Sequence, residues 1–279
     1  MESSKKGTLY LVATPIGNLE DITFRALDIL KNVDLIIAED TRQTLKLLNH
    51  FEISKPLESY HRHSDEEKLQ SIIDELNNGK NIAEVTDAGT PAISDPGEDL
   101  VKEAIKNNIN IVPIPGACAL INALIPSGLD TKEFKFYGFL PLNNKLRKEK
   151  IEEIEKEKST IIIYEAPHRI EETLKELQEK LGDRNVSVAK EITKIHETFY
   201  RGKISEVREQ IQNPKGEFII VIEGNQNQID DKSVLNNLTL EEHYRFYEAQ
   251  GLEKKEIIKK IAKDRNVNKN EIYQKFLNK

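Results

Sequence analysis

The sequence predicts an α/β protein with two α/β domains, each holding a mostly parallel sheet, followed by a small C-terminal helical module. Short apolar, β-branched runs alternate with amphipathic segments, and this series starts again near Phe134. The run 33–38 is apolar on both faces, which is typical of a strand buried in a parallel sheet. Beyond the Asn-, Gln- and Asp-rich segment 224–234, only helical patterns remain.

The first series of elements runs from the N-terminus to about residue 126. Its strands end in turns rich in Gly, Pro and Asp, and its helices carry apolar residues on one face. Strands are predicted at 8–13, 33–38, 82–85 and 109–114. Helices are predicted at 22–31, 41–50, 65–78 and 97–107, with a small-residue helix after Pro115-Gly116.

The second series repeats the alternation and leads into the helical module. Strands are predicted at 136–140, 160–164, 186–189 and 217–223, with helices at 145–158, 169–181 and 204–212. Three short helices follow at 240–250, 254–264 and 270–277, and the last two have helix-turn-helix-like spacing. The predicted domains are therefore 1–126, 127–228 and 229–279.

Composition and charge exclude several classes of protein. With 279 residues, 38% of them hydrophobic, the chain can bury a sizeable core. No apolar run approaches the roughly 18 residues of a membrane span, and no signal-peptide pattern is seen, so we expect a cytoplasmic protein. Cys118 is the single cysteine, which excludes an internal disulfide and a thiolate metal cluster. The net charge is −7, yet the last 29 residues hold nine Lys/Arg against four Asp/Glu.

The stretch N-I-A-E-V-T-D-A-G-T-P-A-I-S-D-P-G (81–97) is the strongest candidate for a ligand loop. A strand ends near Thr86, and a loop of small residues beyond a strand end lets backbone groups approach a ligand closely. The loop carries Asp87 and Asp95 but no cation, and the chain holds neither a P-loop nor a dinucleotide-binding glycine pattern. This favours a cationic ligand. The alternative is a pair of ordinary Asp-Gly-Pro turns.

Carboxylates recur where predicted strands stop. They could be helix caps or turn residues, which is the simpler interpretation of any one of them. Five such positions instead predict one acidic cleft between the two domains, suited to a cation such as a sulfonium. The positions are Glu39-Asp40, Asp87, Glu165, Glu191 and Glu223.

Several motifs, in order along nearly the whole chain, closely resemble the tetrapyrrole methylase superfamily and, more narrowly, its ribosomal RNA branch. The resemblance implies an S-adenosyl-L-methionine-dependent enzyme that methylates the ribose 2′-hydroxyl of a decoding-region cytidine of the small ribosomal subunit. It also implies a homodimer with its cofactor held between two α/β domains. The motifs are T-L-Y-L-V-A-T-P-I-G-N-L-E-D-I-T (8–23), A-E-D-T-R (38–42), V-T-D-A-G-T-P-A-I-S-D-P-G (85–97), P-I-P-G-A (113–117), Y-E-A-P-H-R (164–169) and K-E-I-T-K-I-H-E (190–197).

The resemblance also implies cofactor contacts at the matching positions of this sequence. Those of the first domain are Pro15, Asp87, Ala88, Gly89, Thr90, Ile93, Ser94, Gly116, Ala117, Cys118 and Ala119. Those of the second domain are Tyr164, Glu165 and Ala166, with Lys190 and Glu191 beside them. The first loop, A-T-P-I-G-N, departs from the superfamily's usual glycine-rich form, which fits the RNA branch better than a tetrapyrrole substrate.

Residues for catalysis and RNA binding are less well defined by the sequence. Methyl transfer to a hydroxyl gains from a general base, and Lys190 with Glu191 is the preferred candidate, ahead of His61 and His168. The alternative is that these residues only orient the cleft or lie in exposed loops. Tyr60, Tyr137 and Phe139 could stack on an extruded base or pack in the core. The predicted RNA-binding residues are His61, Arg62, His168, Arg169, Lys259, Lys260 and Lys263.

Three other functions remain open at this point. A dehydrogenase fits the β-α alternation but lacks the dinucleotide glycine pattern. A simple RNA-binding module fits the basic C-terminus but leaves the acidic strand ends unexplained. A superfamily member acting on a small tetrapyrrole-like molecule shares the cofactor loops. For the methyltransferase we expect neither a metal nor a membrane partner.

Overall fold

The structure is a computed structural model, and it describes residues 6–61, 66–93, 95, 97–212, 214–226, 235, 238–249, 251–265 and 267–277. The chain divides into two compact units, Met1–Gly224 and Asn225–Lys279. The first unit contains two five-stranded sheets, and the second is helical.

The first sheet is wholly parallel, with strand order β3-β2-β4-β1-β5. Parallel pairing needs a crossover after each strand, and helices supply most of these crossovers. The strands are β1 (Thr8–Val12), β2 (Leu35–Ala38), β3 (Leu57–Ser59), β4 (Ile82–Val85) and β5 (Asn110–Ile114). The helices are α1 (Phe24–Asn32), α2 (Thr41–His50), α3 (Glu66–Asn77), α4 (Gly97–Lys106) and α5 (Ala119–Leu124).

Local caps set where the first helices begin. The Thr23 hydroxyl accepts a hydrogen bond from the Ala26 N–H, so α1 starts two residues later than its apolar pattern suggests. Asp40 caps α2 by accepting from the Arg42 N–H. Both faces of the sheet are buried, because apolar clusters cover each side and all four residues of β2 and of β4 are buried. The five strand ends therefore open at one edge of a rigid layer.

The second sheet is mixed, with strand order β6-β7-β10-β8-β9. Strand β10 runs antiparallel to β7 and β8, and β9 runs antiparallel to β8. The strands are β6 (Phe134–Phe139), β7 (Thr160–Glu165), β8 (Asn185–Lys190), β9 (Thr198–Lys203) and β10 (Phe218–Ile222). The helices are α6 (Asn144–Lys156), α7 (Ile170–Leu181) and α8 (Ile204–Gln210).

Helix α5 joins the two sheets of the first unit. It follows β5 of the first sheet, yet Leu120, Ala123 and Leu124 pack in one apolar cluster with side chains of the second sheet. Two hydrogen bonds add to this junction: the Asn18 N–H donates to the Thr193 hydroxyl (3.1 Å), and the Arg201 Nε–H donates to the Pro126 carbonyl (2.9 Å). The loop ends of the first sheet are thereby fixed against the second sheet.

The second unit contains helices α9 (Leu240–Glu248), α10 (Lys254–Asp264) and α11 (Lys269–Leu277). Its core includes Ile257, Ile258, Ile261 and Ala262, the stripe that the sequence pattern predicts for α10. Across the described ranges, no helix combines the length and the apolar character needed to cross a membrane.

The predicted fold class, two α/β sheets followed by C-terminal helices, is confirmed. The expectation of a mostly parallel sheet holds for the first sheet, whereas in the second sheet only β6 and β7 pair in parallel and the other three pairings are antiparallel. Two strands were missed. Strand β3 has only three residues, two of them exposed, and β9 carries Tyr, Arg and Gly with little alternation. The proposed domain limits at residues 126 and 228 remain predictions.

Candidate functional site

Three loops at the open edge of the first sheet are joined into one wall. After β1 and β4, Thr14 and Gly89 exchange two backbone hydrogen bonds of 2.9 and 3.1 Å. The Thr14 hydroxyl also donates to the Thr86 carbonyl (3.2 Å). The loop after β5 is attached in turn, because the Thr90 hydroxyl donates to the Ala117 carbonyl (3.1 Å). These contacts fix the loops through their backbones, without long side chains.

Two glycines allow the loops of this wall to pack closely. Gly89 has a φ of 91°, a conformation that side chains disfavour, and a Cβ there would lie 3.1 Å from Ile16 Cγ2. A Cβ on Gly116 would lie 2.9 Å from the Ala13 Cβ. Small residues complete the surface, with Ala88 exposed and Ala117, Cys118 and Ala119 half-buried. The loops therefore pack closely on each other, and their exposed surface at Ala88 and Gly116 has no long side chain.

Aromatic side chains from the second sheet form a neighbouring wall. Tyr164 packs in the cluster shared with α5, and its ring lies 4.8 Å from the Phe136 ring and 5.6 Å from the Phe139 ring, centroid to centroid. A register shift between Phe136 and Gly138 is the reason that Phe136 and Phe139, three residues apart, both face Tyr164. Burial, with a smaller effect of Cys118, raises the pKa of Tyr164 to about 12. Phe139 is 58% exposed and can receive a flat ligand.

Carboxylates of the first half lie at the rim of this edge. Asp87 is exposed, and its Oδ1 accepts from the Asp40 N–H (3.0 Å). Hydrogen bonds from the Arg42 side chain and backbone lower the pKa of Asp40 to about 2. The Asp40 carboxylate is therefore negatively charged at neutral pH, and it pairs with the Arg42 guanidinium (2.8 Å).

The strand-end carboxylates of the second sheet accept hydrogen bonds from residues of the same sheet and its neighbouring helices and loops. Glu165 is buried on the sheet face opposite Tyr164, where its oxygens accept from the Thr173 hydroxyl (2.6 Å) and the Ala166 N–H (2.8 Å). Glu223 lies at the other edge of the sheet, because β10 runs antiparallel, and it pairs there with Asn185. The expectation that all five strand-end carboxylates meet in one cleft is therefore wrong for Glu223.

The candidate base pair Lys190–Glu191 lies at the end of β8. Strand alternation places Ala189 in the Tyr164 cluster and Lys190 on the opposite face. Glu191 has a φ of 52°, and its Oε1 accepts from Lys194 Nζ (2.9 Å) and the Glu217 N–H (3.0 Å). Burial alone would raise the pKa of Glu191, but these hydrogen bonds outweigh it and the pKa is lowered. Glu191 is thus bound and ionised, which favours a structural role in this loop.

The other predicted residues are distributed unevenly. Pro15 is half-buried in the first wall, and Ile93 is 39% exposed in the loop after β4. His61 and His168 are exposed, whereas Arg169 is held by the Leu140 carbonyl (3.2 Å) and by Glu165 (3.5 Å). Lys259, Lys260 and Lys263 are exposed on α10. Ser94 and Arg62 lie outside the described residues.

Sequence reasoning missed Glu84, which is only 4% exposed beneath the loop after β4. The sequence feature that could have identified it is a single acidic residue inside the otherwise apolar strand β4. It also missed the tie between Thr14 and Gly89, which depends on backbone geometry. Across the described part of the chain, no group of three or more His, Cys, Asp or Glu side chains is arranged to hold a metal ion.

Comparisons with known proteins identify the relatives of this chain. Residues 8–208 match the family model of tetrapyrrole (corrin/porphyrin) methylases. Two proteins named ribosomal RNA small subunit methyltransferase I are close relatives. The Halalkalibacterium halodurans protein is 51% identical over 96% of this chain and 94% of its own length, and the Bacillus subtilis protein is 50% identical over 98% and 95%.

A solved structure shares the fold. The uroporphyrin-III C-methyltransferase of Thermus thermophilus, in complex with S-adenosyl homocysteine, superposes with a TM-score of 0.55 at 16% identity, covering 77% of this chain and 97% of that one. At such low identity the likeness concerns the fold alone. From the family match and the full-length relatives together, this chain belongs to the tetrapyrrole methylase family.

Proposed function

We propose that this chain transfers a methyl group from S-adenosyl-L-methionine to the ribose 2′-hydroxyl of a cytidine in the decoding region of small-subunit ribosomal RNA. Full-length relatives at 50% identity or more carry the name of a small-subunit ribosomal RNA methyltransferase. The fold neighbour that holds S-adenosyl homocysteine supports the choice of cofactor. The first loop, with Thr14 and Ile16 where a glycine-rich loop is usual, supports RNA as the substrate over a tetrapyrrole.

The observation that carries the proposal is the backbone wall formed by the loops after β1, β4 and β5. Gly89 and Gly116 let these loops pack closely on Ile16 and Ala13, and the small exposed residues Ala88 and Gly116 leave backbone groups open to a ligand at the surface of the wall. Half-buried Tyr164 and exposed Phe139 offer aromatic surface next to it. Polar backbone beside aromatic surface fits a cofactor with an adenine ring, a ribose and an amino-acid end. When bound, the cofactor supplies an electrophilic methyl group on a sulfonium.

The residues of this chain act mainly by positioning. A ribose hydroxyl is a poor acid, and aligning it with the methyl carbon contributes much of the rate. The exposed carboxylate of Asp87 favours a cationic cofactor over the neutral product. Of the candidate bases, exposed His168 follows the end of β7, while Glu191 is committed to Lys194. His168 is therefore the better candidate for receiving the hydroxyl proton.

The proposed RNA contacts divide between the two units. Phe139 is an exposed ring beside Tyr164, suited to stacking on an extruded base. In the second unit, the apolar stripe of α10 is buried, which leaves Lys259, Lys260 and Lys263 exposed to bind phosphates. We further propose that the enzyme acts as a homodimer in the cytoplasm. Exposed Leu142 and Leu146 favour a contact between copies.

The test is a methyl-transfer assay with labelled S-adenosyl-L-methionine. Three substrates are compared: small ribosomal subunits that lack the modification, naked small-subunit RNA and a uroporphyrin-type tetrapyrrole. Label is expected in the subunits or the RNA, and nuclease digestion followed by mass spectrometry should give 2′-O-methylcytidine. Excess S-adenosyl homocysteine should suppress it. Transfer to the tetrapyrrole, or to a base atom of the RNA, would contradict the proposal.

A further inference from the structure

Glu84 is a buried acid in the centre of the first sheet. In β4 it is the register partner of Leu11 in β1 and of Ile37 in β2, so apolar residues flank it on both sides. It is 4% exposed, and its Oε2 atom has no hydrogen-bond partner among the residues that the structure describes. An unpaired buried carboxyl lowers stability, so its presence calls for a physical explanation.

The Glu84 carboxyl lies under the loop that carries Gly89. It lines a narrow cavity, too small to hold a water molecule, with Tyr60, Thr86 and Asp95. A Cβ placed on Gly97, the first residue of α4, would lie 2.9 Å from Glu84 Cδ and 3.0 Å from Asp95 Oδ1. The Glu84 carboxyl is therefore packed against the start of α4 and close to the Asp95 carboxylate.

Asp95 gives this loop its shape. Its Oδ1 accepts hydrogen bonds from the Ala92 N–H (2.8 Å) and from the Gly97 N–H (2.9 Å). These two bonds close the turn between the backbone wall and α4, and Ala92 within it has a φ of 64°. A charge placed beside Asp95 acts directly on the group that closes the turn.

The groups around Glu84 are acidic or neutral. Glu39 faces the cavity from the end of β2, Tyr60 from the end of β3, and Asp95 from the loop, while Asp99 lies on α4. No lysine or arginine is among the described residues that line the cavity. Burial, and secondly the Asp95 charge, raises the pKa of Glu84 to about 8. The carboxyl is therefore mostly protonated at neutral pH and ionises as the pH rises past about 8.

We propose that Glu84 is a positioning residue of the cofactor loop, residues 86–97. As a neutral acid it packs beneath the loop and lets Asp95 hold Ala92 and Gly97. As a carboxylate it repels Asp95 across the cavity and loosens the turn. The inference depends on the proposed placement of the cofactor on this loop.

Cofactor affinity should then depend on pH in a way that Glu84 controls. If binding requires the closed turn, it favours the protonated form, and affinity falls by up to about tenfold per pH unit above the pKa. Glu84→Gln keeps the shape of the side chain and stays neutral. The cofactor affinity of this variant should therefore not fall as the pH rises above the pKa of Glu84. Glu84→Leu is a second neutral variant in case the amide disturbs folding. Glu98→Gln is the matched control, because it removes an exposed charge from the first turn of the same helix.

The experiment is calorimetry with S-adenosyl homocysteine from about pH 6.5 to about pH 9.5 at constant ionic strength. Titration of the ligand's own amine is common to every variant, so the readout is the ratio of variant to wild-type affinity. Glu84→Gln should match wild type within about twofold at the acid end and bind about tenfold more tightly at the alkaline end. Glu98→Gln should follow wild type throughout.

Two outcomes would contradict the proposal, one for the role of Glu84 and one for the position of the cofactor. A pH-independent ratio for both neutral Glu84 variants would overturn the role of Glu84, and a purely structural role would give that result. The variant Gly89→Val distinguishes an error about the role of Glu84 from an error about where the cofactor binds. If Gly89→Val leaves the affinity unchanged, the cofactor is not on the loop at all, whatever Glu84 does.

Discussion

The two sheets of the first unit carry similar carboxylates at their strand ends but use them in opposite ways. In the first sheet, Asp87 is exposed at the open edge of the parallel strands. In the second sheet, Glu165 is buried under α7 and Glu191 is bound by Lys194. The first sheet therefore keeps the Asp87 carboxylate exposed at its open edge, whereas the carboxylates of the second sheet bind side chains of their own domain.

Sheet topology explains this difference. All strands of the first sheet are parallel, so every loop after a strand reaches the same edge, where small residues join them through backbone bonds. The second sheet is mixed, so Glu223 emerges at the opposite edge. Alternation along β7 then separates Tyr164, which faces α5, from Glu165, which faces α7. A carboxylate at a strand end is thus evidence for a site only where the strands are parallel and the side chain faces outward.

The largest expected effect comes from removing the buried carboxyl group of Glu165 in the second sheet. Glu165→Ala should lower the free energy of unfolding by about 3 kcal/mol, because Thr173 loses its acceptor and Arg169 loses its partner. Asp87→Ala in the first half should change it by less than about 0.5 kcal/mol. Urea unfolding measures both variants. If both substitutions lowered the free energy of unfolding equally, the proposed difference between the carboxylates of the two sheets would be wrong.

A smaller effect is expected from the basic face of the second unit. Replacing Lys259, Lys260 and Lys263 with Gln should lower affinity for small-subunit RNA by roughly tenfold at moderate salt and reduce the salt slope by about one per lysine. Cofactor affinity should stay unchanged within about twofold. The matched control replaces the exposed lysines Lys175 and Lys180 of α7. A salt slope equal to that of wild type would show that α10 does not bind phosphates.

Much of the fold could be predicted because periodicity reports burial. The stripe of Ile257, Ile258 and Ile261 and the apolar run of β2 are examples in which pattern and core coincide. The loop between β4 and α4 was predictable because its Gly and Pro residues exclude both helix and strand there. Strand β3 was not, since three residues with two exposed carry no periodicity.

Other features of the site depend on geometry that a single sequence does not encode locally. The bulge that turns both Phe136 and Phe139 toward Tyr164 depends on the pairing of β6 with β7. The face on which Lys190 lies depends on the register of β8, and the burial of Glu84 depends on Leu11 and Ile37 from other strands. Their functional roles follow only once the sheets are assembled.

The central claim is that the cofactor binds on the backbone wall around Gly89. Gly89→Val places a branched side chain at a φ of 91° and against Ile16, while Gly182→Val imposes comparable strain at a φ of 75° where no atom lies within 4 Å. Each variant should lose about 1–3 kcal/mol of stability.

Calorimetry with S-adenosyl homocysteine on both folded variants is the most direct test. The account predicts more than about tenfold weaker binding for Gly89→Val and wild-type binding, within about twofold, for Gly182→Val. Equal affinity of the two variants would contradict the placement of the cofactor on this wall.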